Sequence, residues 1–154
     1  MVLGEIFETT GQVLPTAVPE SPPQALRPCR RRNCVSSQET RDPYRMEPFR
    51  FSGDPDRAWG VLLGLLRGWP RTRLLEAGAA RARACFRSAI FRFPDYADFL
   101  LDREGEAIHF RSAAKYGRRD FDVNRKRMEA LRAAFSAALG RPSPPRVEPP
   151  ESPA

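Results

Sequence analysis

The chain has 154 residues, 41% of them hydrophobic, which allows one ordinary domain. It lacks any run of about 18 apolar residues, which excludes a transmembrane helix. The net charge of +7 rests on 24 arginines and two lysines, Lys115 and Lys126. That points to phosphate or nucleic-acid contact, although a GC-rich coding bias would enrich Arg, Ala, Pro and Gly together in the same way, and weighs more.

Seven of the 16 prolines precede Phe51 and six follow Gly140. The pattern predicts an extended N-terminal arm over 1–27, one folded domain over 28–140 and a proline-rich tail over 141–154. The opening Met1–Gly11 contains acids and no basic n-region, so it does not read as a secretory signal, and the sequence as it stands reads as cytoplasmic.

Asp54 and Pro55 form an N-cap and first-turn pair, and Trp59, Leu62, Leu63 and Leu66 follow at helical spacing. Gly68 is the expected left-handed end of that helix, with Pro70 beyond it. Strands are expected over Arg71–Ala77 and Ala80–Phe86, the latter resumed at Phe91–Phe93. In the second of them Ala82, Ala84 and Phe86 alternate with Arg81, Arg83, Cys85 and Arg87. Two more are expected, Tyr96–Asp102 and Ala107–Ala114, joined by a hairpin at Arg103–Glu106. A last helix runs from about Asp122 to Leu139 on a stripe of Met128, Leu131, Phe135 and Ala138, with Asn124 one turn ahead and Gly140 ending it. Short connections favour an antiparallel meander. The expected fold is α+β: four antiparallel strands, order α-β-β-β-β-α, with both helices on one face and the other face open or partly covered by the arm.

Several side chains invite a chemical role. Cys29 and Cys34, spaced C-x4-C in a proline-bounded loop, read as structural thiols, bonded or free according to compartment. A zinc site lacks ligands, since only Cys85 and the lone His109 remain. A thiol-redox or enzymatic role for Cys34, Cys85 or His109 is the alternative. It is weakened because Cys85 and His109 would be separated by an intervening strand, about 9–10 Å, whereas a dyad needs about 3 Å. No catalytic residue, metal or cofactor is assigned. The anion-binding candidates are Arg83, Arg87, His109 and Arg111 on the face opposite the apolar one, with Asp98 pointing the same way. A second basic cluster, Arg118, Arg119, Arg125, Lys126 and Arg127, lies at the start of the last helix, against its dipole. It would suit an acidic protein partner or phosphate, and nucleic acid is the least favoured ligand. Asn124 on an apolar stripe requires partners, expected in the preceding loop or the arm. Gly117 should permit a tight turn, and Asp120 or Asp122 should cap the helix.

Two segments bracket the apolar middle: Pro28–Gln38, ending Asn33-Cys34-Val35-Ser36-Ser37-Gln38, and Ile108–Arg127. With Ala58-Trp59 and Phe91-Arg92-Phe93-x-Asp95 between them, they resemble the family called domain of unknown function 1499. The second segment matches at Ile108, His109, Arg111, Ser112, Ala113, Gly117, Asp120, Asn124, Arg125 and Arg127. Arg32 stands where the family usually has proline, and Ala114 where it has serine. The concentration of motif residues in these two segments leads us to expect that the Cys29–Gln38 loop packs against the Arg111–Arg127 segment, and the resemblance supplies no reaction. It also implies an exported or plastid compartment, which would suit a Cys29–Cys34 disulfide. The expected function is a non-catalytic binding or scaffolding domain.

Overall fold

The computed structural model describes residues 25–89, 93–117 and 122–141. Along the chain these form β1 (Cys34–Ser36), β2 (Phe49–Arg50), α1 (Pro55–Gly68), β3 (Thr72–Ala77), β4 (Arg81–Arg87), β5 (Pro94–Asp102), β6 (Ala107–Ala114) and α2 (Val123–Leu139). The expected arm before residue 25, the tail after 141, and Phe91 and Arg92 lie outside the described residues. Phe93 is described and is not in a strand.

The meander is present as β3-β4-β5-β6, each pair antiparallel. The sequence missed two short strands. Both β1 and β2 pair antiparallel with the outer edge of β6, one beside Arg111–Ala113 and the other beside Ala107–Ile108. Two strands share one neighbour because β6 is eight residues long and each partner covers only part of it. Segments of three and two residues leave no periodic trace.

Both helices cover one face. Trp59, Leu62 and Leu66 of α1 and Met128, Leu131 and Phe135 of α2 are buried in the same core as Ala82, Ala84 and Phe86 of β4 and Ala97, Phe99 and Leu101 of β5. Phe49 joins the two layers, its ring 5.2 Å from that of Phe110 and 5.6 Å from that of Phe135. The Trp59 indole donates to the Gly78 carbonyl at 2.8 Å, which fixes α1 to the turn after β3.

The helix ends differ from expectation in detail. Asp54 caps α1 by accepting from Asp56 N–H at 2.9 Å. The stop is not a left-handed Gly68. Trp69 turns to extended backbone instead, its N–H still held by Leu66 O at 3.4 Å. At α2, Asp122 occupies the N-cap position in the left-handed region at φ 63°, without a side-chain cap bond, and Asp120 lies outside the described residues. Gly117 does adopt positive φ, 83°, as its turn requires.

Candidate anion site on the open face of the sheet

Antiparallel pairing places partners on the same face, so the register reads out the surface opposite the helices. One cross-strand row is Ser36, Arg111, Asp98, Arg83 and Glu76. The next is Cys34, Ala113, Tyr96, Cys85 and Arg73. A third holds His109, Leu100 and Arg81. Of the expected quartet, the structure therefore sets Arg83 and Arg111 in one row, flanking Asp98. It separates His109 and Arg87 from them in opposite directions along the strands.

Arg83 is committed. Its guanidinium lies 3.6 Å from the Asp98 carboxylate and 5.0 Å above the Tyr96 ring. Arg111 is different. Its Nε is buried, and its guanidinium makes no hydrogen bond or ion pair among the described residues. Burial pushes its pKa below the ordinary arginine value, and Arg27 and Arg83 push the same way, while Asp98 and Glu39 oppose them. Arginine stays charged regardless, so the shift describes a cation with insufficient compensation.

A cleft of about 390 Å³ opens beside it, lined by Arg27, Arg30, Arg31, Asn33, Cys34 and Arg111 among others. A further recess over Arg27 and Arg111 extends toward Arg83, Tyr96 and Lys115. Sequence reasoning did not place Arg27, Arg30, Arg31, Lys115 or Tyr96 at a site. The loop that carries the first three is held in several ways. Cys29 and Cys34 form a disulfide, with 5.6 Å between their Cα atoms, and both are buried. Cys29 N–H donates to Glu39 at 2.7 Å, and Arg41 donates to the Cys29 carbonyl at 2.8 Å while pairing with Glu39 at 2.9 Å. The hydrogen bond from Arg41 holds the Glu39 carboxyl below its ordinary pKa; burial opposes this and the Cys29 N–H adds to it. Gln38 accepts from Leu26 N–H at 2.7 Å, fixing the backbone next to Arg27.

The remaining motif residues face the other way or pin the chain. Ser112, beside Arg111 on β6, points inward and donates to Asn124 Oδ1 at 2.5 Å. Asn124 Nδ2 donates to the Asn33 carbonyl at 3.3 Å, and Asn33 Nδ2 donates to Gly117 O at 2.6 Å. Arg127 completes this knot, donating to Asn124 at 3.2 Å and pairing with buried Asp95 at 2.9 Å beneath the Phe86 ring. Ser36 is buried and accepts from Gln38 N–H at 3.2 Å.

Of the expected basic cluster at the start of α2, Arg125 and Arg127 are engaged within the protein, and Lys126 is exposed. Arg127 is an inward structural cation. Arg125 donates to the carbonyls of Pro43 at 2.5 Å and Arg45 at 3.3 Å. Arg125 thus reaches backbone between β1 and β2 that the sequence did not place against α2. Arg118 and Arg119 lie outside the described residues.

The thiol and histidine candidates are also kept apart. Cys34 is bonded, and Cys85 and His109 lie in different rows with β5 between them. One constellation was not anticipated: Ser37 Oγ lies 3.2 Å from His109 Nδ1, and His109 Nε2 lies 3.5 Å from Asp102. Ser37 Oγ, however, accepts the Phe110 N–H at 2.9 Å, and Phe110 O accepts the Ser37 N–H at 2.9 Å. The serine thus extends the β1–β6 ladder, which is a structural use. Among the described residues, no group of three or more His, Cys, Asp and Glu side chains could hold a metal, and no helix is long and apolar enough to cross a membrane.

The family model described as "Protein of unknown function (DUF1499)" matches residues 25–135. That span covers most of the chain, and the chain belongs to this family. No curated protein and no solved structure matches it.

Proposed function

We propose that this domain is a non-catalytic binding module whose ligand is an anion seated on Arg111. The observation that carries the reading is the buried, unpartnered Arg111 Nε at the wall of a cleft lined by Arg27, Arg30 and Arg31. A buried donor without a partner costs about 1–3 kcal/mol, more if charged. A phosphate or carboxylate in the cleft compensates several cations together, and the arginine fork suits either group. The disulfide and the Glu39–Arg41 clamp support this role by fixing the arginines before a ligand arrives, which lowers the ordering cost of binding.

The test is binding of orthophosphate, citrate and a soluble glycerophosphate headgroup by calorimetry, with the full chain and with Arg111→Ala and Arg111→Lys. Binding in the parent, lost in the alanine variant and weakened by the lysine variant, is expected. If none of the three binds, or if Arg111→Ala binds as the parent does, the reading fails.

A further inference from the structure

The open face holds a second cleft, of about 540 Å³, whose lining includes Arg71, Arg73, Cys85, Arg87 and Tyr96. Tyr96 lines this cleft and the recess over Arg111 as well. The row that joins them, Cys34, Ala113, Tyr96, Cys85 and Arg73, contains no acidic residue. Of the acids on this face, Asp98 and Glu76 lie in the neighbouring row, where Asp98 is already paired with Arg83, and Asp102 lies further along β5 beside His109. Cations flank the acid-free row on both sides. Arg111 and Arg83 lie along one. Lys115, Arg87 and Arg71 lie along the other, placed by the backbone bonds from Lys115 N–H to Pro94 O at 3.1 Å and from Arg87 N–H to Arg71 O at 2.9 Å.

From this arrangement we infer that the two clefts are the ends of one lane across the strands, and that its ligand is a linear polyanion of the polyphosphate type. The inference rests on the Arg111 site proposed above. Arg73 and Arg111 are three strand spacings apart, roughly 15 Å between backbones with the offset along the strand. A single small anion cannot reach both, whereas a chain of repeated phosphates can. A nucleic-acid strand would also span the lane, but strand binders stack bases on open aromatic faces. The one aromatic in this row, Tyr96, has the Arg83 guanidinium over its ring. A polyanion without bases needs no such platform.

The chain has three cysteines, two of them joined, so Cys85 is the one free thiol and it lines the second cleft. Its alkylation rate therefore reports occupancy of that end. Orthophosphate, tripolyphosphate and long-chain polyphosphate are compared at equal total phosphate, with Arg73→Ala and Arg111→Ala alongside the parent. Engaging both ends should tighten long-chain binding about a hundredfold over orthophosphate. Arg73→Ala should abolish that gain and leave orthophosphate binding unchanged. Long-chain polyphosphate, and not orthophosphate, should slow Cys85 alkylation. Intact orthophosphate binding with no gain from chain length, or a gain that survives Arg73→Ala, overturns the lane and leaves the Arg111 site standing. Orthophosphate binding insensitive to Arg111→Ala overturns both. An oligothymidylate that protects Cys85 better than polyphosphate at equal phosphate would replace the assigned ligand with a nucleic-acid strand.

Discussion

Arg111 and Ser112 are adjacent on β6 and face opposite ways. Ser112 enters a buried knot with Asn124, Asn33, Arg127 and Asp95, where each of these side chains has a partner. Arg111 enters a cleft where its guanidinium has none among the described residues. The same two motifs build both regions. On the helix side, polar groups cut off from water must find protein partners, and here they join the N-terminal loop to α2. On the open side a ligand can supply the partner, so an uncompensated cation can persist. Polar residues in one motif thus divide, by the face of one strand, into those paired within the protein and one left open to a ligand.

The contrast predicts a graded series. Replacing Arg127 by alanine removes the 2.9 Å ion pair of Asp95, which is 6% exposed. The expected loss is the largest, about 3–5 kcal/mol by urea denaturation. A loss under about 1 kcal/mol would mean that the knot is no more than a surface pair. Removing the disulfide with Cys29→Ala and Cys34→Ala frees a short loop and should cost about 2 kcal/mol. It should also weaken phosphate binding, because Arg30 and Arg31 lose their anchor. Unchanged affinity would show that the loop arginines take no part.

The Glu39 clamp should act through pH. Its carboxyl is held below the ordinary value in the folded chain, so the folded form binds its proton less readily than the unfolded one. Its stabilisation is complete above the ordinary carboxylate range, about pH 4–5, and is lost as the pH falls through the lower native value. Denaturation of the parent and Glu39→Gln at pH 7 and below pH 4 should show a difference that shrinks in acid. A difference independent of pH would remove the charge from the explanation. The smallest stability effect belongs to Arg111→Ala, within about 1 kcal/mol, since no partner is stranded. That small cost alongside complete loss of anion binding would sharpen the division between the two faces.

Much of this was legible in advance. The alternation of Arg81–Arg87 assigned β4 its two faces, because period two leaves no other arrangement once one face is apolar. The stripe of Met128, Leu131 and Phe135 set the buried side of α2, and Asn124 on that stripe already implied hydrogen-bond partners. Cys29 and Cys34 are joined, and the chain has the expected α+β class. Less accessible was anything that depends on which charge meets which. Arg125, Arg127 and Arg111 look alike in sequence, yet the first holds carbonyls, the second a buried carboxylate, and the third no described group.

Local pattern by itself determined the helices, the four-strand meander and the two faces of the sheet, because burial of apolar side chains follows periods of 3.6 and 2. Only the tertiary structure decided that β1 and β2 dock on the edge of β6. It alone brought Arg27, Arg30 and Arg31 to Arg111, sent Arg127 inward, and set Tyr96 and Cys85 in a row without acids. Those outcomes depend on pairings between residues distant in the chain, such as Cys34 with Ala113, and a charged side chain carries no periodic mark of the partner it will meet.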